Sequence, residues 1–183
     1  MKQFLWKMIA RLVSRPAVFR WLLKRAMRTP YTHINNEQGG GVYMYRWWLF
    51  NPYPANSSGA GKRGWRSLLP SVRIHQIMPP DYDRHMHDHP WDARTIILRG
   101  WYEETREERD RTVKSVWPSP LGYNYYRTKG DTARLRFNEY HQINSVSDGG
   151  VYTMFITWKY RGTWGFKVDG KKVPHREYLG LPE

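Results

Sequence analysis

The chain has 183 residues, enough for one domain with its own hydrophobic core, and its 40% hydrophobic and 16% aromatic content supplies one. A formal net charge of +14 creates a field that draws polyanions such as nucleic acid or anionic lipid, although charge alone builds no site. Cysteine is absent, which excludes disulfides and thiolate ligands, so a metal here must rest on histidine, carboxylate or water, and Fe(II), Mn, Ni or Zn suit such donors.

Residues 3–28 are predicted to form two helices. Leu5, Ile9, Leu12 and Val13 recur at helical spacing among Lys2, Lys7, Arg11 and Arg15. Ser14 ahead of Arg15-Pro16 resembles an N-cap followed by a first-turn proline, so the second helix is expected to start there. Phe19, Leu22, Leu23 and Met27 give it an apolar stripe beside Arg20, Lys24, Arg25 and Arg28. Such a helix can lie on a membrane surface or bind nucleic acid, but packing on its own domain is the expectation here. Lys7 and Arg11 interrupt the apolar start, no small-residue cleavage site follows, and no stretch of uncharged apolar residues is long enough to span a bilayer. A cytoplasmic location is the corresponding expectation.

Val42 to Phe50 is rich in strand formers. Asn51 to Arg66 reads as a flexible basic loop. Its Gly59-Ala60-Gly61-Lys62-Arg63-Gly64 spells a dinucleotide fingerprint, but neither a helical pattern nor a distant ribose-binding acid follows. From residue 70 onward, strand-like runs at 72–78, 84–89, 94–103, 111–117, 122–127, 132–137, 140–146, 151–160 and 164–168 alternate with turn clusters. These clusters include Pro79-Pro80-Asp81, Lys129-Gly130-Asp131 and Asp148-Gly149-Gly150. Many short strands at this spacing argue for a mainly β sandwich or barrel. The chain then divides into a basic helical extension at 1–40, a barrel at 41–170 and an irregular tail at 171–183.

Three of the seven histidines, His85, His87 and His89, fall within five residues. On a strand all three share one face. Neighbours about 6.6 Å apart can converge on one ion, whereas His85 and His89, about 13 Å apart, cannot easily do so. One adjacent pair is therefore expected, with a third ligand from elsewhere, and His141 is the obvious candidate.

At these residues the sequence resembles the cupin superfamily. His87-Asp88-His89 followed by Thr95 to Gly100 matches its first motif, a His-x-His pair ahead of a hairpin glycine, and Gly130 to His141 matches its second. His87-Asp88-His89-Pro90-Trp91, Ile96 to Glu104 and Trp164-Gly165-Phe166 are also similar to a group of cupin-like proteins of bacteriophages and bacteria. The resemblance implies a single cupin jelly-roll barrel with a short helical extension, and a metal on His87, His89 and His141. The family's glutamate ligand would fall on Ala93 or Arg94, neither of which can serve. That departure implies a three-histidine centre like those of thiol-dioxygenase-type cupins, which hold Fe(II). His85 and Glu104 are spare candidates for a fourth position.

Three neutral imidazoles would leave the ion its full charge and open positions, suited to anionic chelating substrates and to O2 or water. Arg94, Arg99, Arg134 and Arg136 flank the expected strands; they either clamp a carboxylate or phosphate inside the barrel or are solvated strand residues. Tyr102, Tyr140 and Trp164 either wall the site or pack in the core, and Tyr102, Tyr140 and Arg99 are the candidate catalytic side chains. Three functions fit. The first is a metal-dependent, dioxygenase-like oxidoreductase acting on a small polar or anionic molecule. The second is a sugar-nucleotide epimerase or isomerase using a His base and a Tyr acid. The third is a non-catalytic barrel whose basic surface binds nucleic acid or a protein. The resemblance also implies a homodimer paired through sheet edges as one arrangement.

Overall fold

The computed structural model describes residues 2–35, 41–52, 68–78, 85–110 and 116–180. The chain opens with α1 (Lys2–Val13) and α2 (Pro16–Ala26). Pro16 takes the first turn of α2 as expected, because its fixed φ suits that position and its missing N–H is no loss there. Ser14 is not the cap. Arg15 stands at that position with no side-chain cap, and Ser14 is still tied to α1, its N–H donating to Ala10 O and its hydroxyl to Arg11 O.

The strands follow as β1 (Ile34–Asn35), β2 (Val42–Phe50), β3 (Ser71–Ile77), β4 (Trp91–Arg99), β5 (Trp101–Arg106), β6 (Val116–Ser119), β7 (Gly122–Thr128), β8 (Thr132–Leu135), β9 (His141–Val146), β10 (Val151–Tyr160), β11 (Gly165–Val168) and β12 (Lys171–Pro174). A short α3 (His175–Tyr178) comes last. The strands form a six-stranded antiparallel sheet in the order β1-β2-β3-β10-β4-β8, a four-stranded one in the order β6-β7-β5-β9, and the hairpin β11-β12.

The large sheet buries both faces, as period-two alternation allows. Ile74, Ile96, Leu98, Met154 and Ile156 pack on one side against Ala10, Phe19, Leu22 and Ala26 of the helices. The helices thus pack on the barrel's outside as expected, but of the expected stripes Leu5, Leu12 and Met27 stay 53–58% exposed, while Ala10 and Ala26 take buried positions. On the other side Ile77, Ile97 and Val151 meet Tyr102, with Ile143 and Val146 of the small sheet packed alongside. Two facing antiparallel sheets with short N-terminal helices make the protein mainly β, a single barrel. Gly100 turns β4 into β5 at φ 81, and a Cβ there would sit 2.4 Å from Ser147 Oγ.

Three expectations change. The run 94–103 is two strands split at Gly100. Segment 84–89 is not a strand over its described residues, since only His87 makes bridges, to His141 and to Phe166. The tail is not irregular over 171–178, because Lys171–Pro174 pairs with β11 and α3 follows. The turn at Pro79-Pro80-Asp81, the basic loop with Gly59 to Gly64, residues 111–115 and residues 181–183 lie outside the described residues.

Candidate metal centre

His87 is held between two sheet elements. Its N–H donates to His141 O at 2.9 Å and its carbonyl accepts the His141 N–H at 3.0 Å, and Lys167 N–H bonds Met86 O at 2.8 Å. This single antiparallel bridge fastens the His87 backbone to the start of β9, so the two histidine side chains stand over the same spot. Asp88 secures the other flank. It is fully buried, with Oδ1 accepting Gly165 N–H at 2.8 Å and Oδ2 accepting Lys172 Nζ at 2.6 Å. The aspartate between the two histidines therefore anchors their segment to the β11–β12 hairpin.

His87, His89 and His141 each offer one nitrogen, and these atoms all lie within 4.8 Å of one another. Ring centroids are 4.8 Å apart for His87–His141, 5.1 Å for His89–His141 and 5.2 Å for His87–His89. His89 Nε2 and His141 Nε2 are 2.9 Å apart. Two imidazole nitrogens at right angles around an ion, each bonded at about 2.1 Å, would stand about 3.0 Å apart. That pair thus has the spacing of neighbouring ligands, and the trio is a group that can hold a divalent ion. Phe155 lies 5.3 Å from His89, while Trp164 and Phe166 lie 6.1 Å and 5.9 Å from His87, so the rings are bordered by aromatic side chains.

Electrostatics favour the neutral, metal-ready form of His89. Burial first, then the neighbouring His141, His87, Arg73 and His75, hold His89 well below the ordinary histidine value of 6.5. Behind the trio, His141 Nδ1 lies 3.4 Å from Glu104 Oε2, a distance that leaves this buried nitrogen without a well-formed hydrogen bond. The Glu104 carboxylate also meets Arg106 Nε at 2.9 Å and Arg127 Nε. Burial alone would raise Glu104, but the two guanidiniums overcome it and hold the carboxyl well below its ordinary value. Arg106 extends the network to Glu139 Oε1 at 3.1 Å and to the Arg134 carbonyl at 2.7 Å.

The remaining candidate residues are dispersed. His85 is exposed and its Nδ1 lies 2.9 Å from the Tyr178 hydroxyl, outside the trio. Glu104 is bound up with its two arginines and stands behind His141. Ala93, one of the two positions where the resemblance would put a glutamate ligand, is fully buried with Leu135 and Phe155. Arg99 is exposed at the end of β4 away from the His89 segment. Tyr102 is buried in the interior apolar cluster, where burial and the Glu104 charge push its hydroxyl up. Tyr140 is half-buried next to His141 with Lys167 Nζ 5.3 Å from its ring centre. Arg94 turns outward onto Trp6 of α1, and Arg134 and Arg136 are exposed, so none of the three clamps a ligand inside the barrel.

Sequence reasoning missed Arg73 and His75. Cross-strand pairing places Arg73 opposite Phe155 and His75 opposite Thr153, which brings both to the interior face. Arg73 is 3% exposed, with Trp91, Trp48 and Phe155 ring centres 5.0, 5.2 and 5.4 Å from its guanidinium. His75 stacks on Phe155 at 5.2 Å, and its buried Nε2 has no hydrogen-bond partner among the described residues. Alternation within 71–77 was the available signal, but it does not say which parity faces inward.

No protein-family model matches the chain, and no curated protein is significantly similar to it. Among solved structures it is similar to a cupin-like protein of Thermotoga maritima (TM-score 0.43, 13% identity, 84% of this chain and 96% of that one). It is also similar to a cupin-2 domain protein of Rhodospirillum rubrum (TM-score 0.44, 14% identity, 82% and 78%). A third similarity is to Bacillus subtilis oxalate decarboxylase, a protein with Mn(II) centres (TM-score 0.44, 16% identity, 88% of this chain). There the chain spans about a third of the other protein, 33% of its length. These likenesses concern the overall course of the chain and assign no chemistry.

Proposed function

We propose that this protein is a metal-binding cupin in which His87, His89 and His141 hold one divalent ion, Fe(II) in preference to Zn, Mn or Ni, and that it acts as an oxygenase-type oxidoreductase on a small polar or anionic molecule. The observation that carries the reading is the 2.9 Å separation of His89 and His141 Nε2, with a His87 nitrogen within 4.8 Å. No carboxylate joins the group among the described residues, so all three donors are imidazoles. Bound there, a divalent ion would supply Lewis acidity and, as Fe(II), one-electron chemistry toward O2. The chain's own part is to keep His89 deprotonated by burial, to fix His87 on the His141 backbone, and to hold Glu104 3.4 Å behind His141 Nδ1, the position from which a carboxylate orients a metal-bound imidazole once the contact tightens into a hydrogen bond. Buried Arg73 adds positive charge near His89, which supports an anionic rather than a cationic substrate.

The epimerase reading draws on one observation, the His85–Tyr178 pair at 2.9 Å, but that pair is solvent-exposed and lies outside the trio. The two readings part in one experiment. Protein loaded with Fe(II) without oxygen is mixed with aerated thiols, amino acids and modified nucleotides in an oxygen electrode. The proposal expects oxygen uptake with at least one panel member and its loss in His89→Ala. Stoichiometric Fe(II) with no uptake from any member, or uptake that survives His89→Ala, contradicts it; a pyranose isomerisation lost in Tyr178→Phe would favour the epimerase.

A further inference from the structure

The helices are apolar on more than the face they bury. Trp6, Ile9, Ala10 and Val13 of α1, and Val18, Phe19, Leu22 and Ala26 of α2, pack against the large sheet. A helix packed on one side ordinarily turns polar groups to water on the other. Instead Phe4, Leu5, Met8, Leu12, Trp21 and Met27 are 53–68% exposed, half of the large exposed hydrophobic side chains among the described residues. Phe4, Met8 and Leu12 follow at intervals of four, a continuous line along α1. Both helices rest on the same sheet face, so their uncovered sides look away from the barrel together.

The charge on this surface has one sign. Residues 1–28 hold eight of the chain's basic side chains, and no Asp or Glu occurs before Glu37. Lys7, Arg11, Arg15, Arg20, Lys24, Arg25 and Arg28 are exposed. On α2 a shallow groove has Leu23 and Met27 as its apolar lining and Arg20, Lys24 and Arg28 as its cations. A phosphodiester surface with no apolar layer would use the cations and leave the hydrophobic line in water. None of the described residues covers that line, and no helix among them is long and apolar enough to cross a membrane.

We propose that α1 and α2 form a docking face for an anionic lipid bilayer, with the cations meeting lipid phosphates and Phe4, Leu5, Met8, Leu12 and Trp21 entering the interfacial layer. Each half of the patch matches one half of that partner: negative headgroups above acyl chains. Trp21 has the amphipathic ring that favours the headgroup level.

The test is sedimentation of the full chain with phosphatidylcholine vesicles and with vesicles containing about one-third phosphatidylglycerol, in about 0.1 M salt. Two variants accompany it, Phe4→Ser/Met8→Ser/Trp21→Ser and Arg20→Glu/Lys24→Glu/Arg28→Glu; all six positions are exposed, and circular dichroism checks that both remain folded. The expected result is binding to the anionic vesicles alone, weakened about tenfold or more by either variant. Absence of binding, or equal binding to both vesicle types, overturns the proposal. So does anionic binding that the serine variant leaves intact while duplex DNA binds both wild type and that variant, which assigns the face to nucleic acid. A homodimer in gel filtration that only the serine variant dissolves overturns it in favour of a second copy.

Discussion

His89 and His75 are pushed in the same direction by the same causes. Burial is the largest cause for both, followed by His141 and His87 and then Arg73 for His89 and by Arg73 and Arg46 for His75, and both are held well below 6.5. The unfolded chain takes up protons near that ordinary value, so it binds more protons than the native state once the pH falls below it. The stability these residues contribute is therefore complete above pH 6.5 and is lost as pH falls from there toward their native values. The urea midpoint is expected to drop between neutral and mildly acid pH, and His75→Leu to flatten that slope while removing a buried nitrogen without a partner among the described residues. An unchanged slope in the variant would show that His75 is not the titrating group. Glu104 acts in a lower window: its contribution is in place above its ordinary 4.5 and goes as pH falls further. Glu104→Gln leaves Arg106 and Arg127 buried without their shared carboxylate, a loss of about 3–5 kcal/mol in urea unfolding. The histidine trio was legible because two spaced motifs named it. Arg73, His75 and the Glu104 network were not, because their roles depend on strand parity and cross-strand pairing.

At the scale of elements, the strands from β7 to β11 begin and end close to the runs of β-branched and aromatic residues that announced them. The segment carrying His85 to His89 misled for a physical reason. Its alternation of histidines looks like a strand, but His87 alone pairs with β9 and β11, while Asp88 spends its carboxylate on Gly165 and Lys172. The spacing that matters is thus set by the β11–β12 hairpin. A Cβ at Gly165 would lie 2.2 Å from Val173 O, so Gly165→Ala must spread that hairpin and disturb the Asp88 anchor. Weaker metal binding by the trio is expected in Gly165→Ala, read by competition with a coloured chelator; wild-type affinity would show that Asp88 does not position the site. The two helices form where apolar spacing announced them, but that spacing did not settle the buried face, because Leu5, Leu12 and Met27 of the expected stripes are exposed. Leu22→Ala, buried in the helix–sheet core, should lower stability by about 2–5 kcal/mol without altering the metal site.

On the scale of the whole molecule, the barrel separates its tasks by face. The interior of the two sheets carries the histidines and a buried charge network, and the outer face of the large sheet carries the helices with their cationic, partly apolar surface. Composition announced the excess of positive charge but could not say that much of it sits on helices docked across the barrel's back. The three-histidine centre is the claim on which the functional reading rests. Untagged protein loaded with Fe(II), desalted and analysed for metal beside His87→Ala and His141→Ala tests it most directly. About one ion per chain in the wild type, and its loss from either variant with the circular dichroism of the barrel unchanged, is the predicted result. Less than about a tenth of an equivalent in the wild type, or full metal content in both variants, would contradict it.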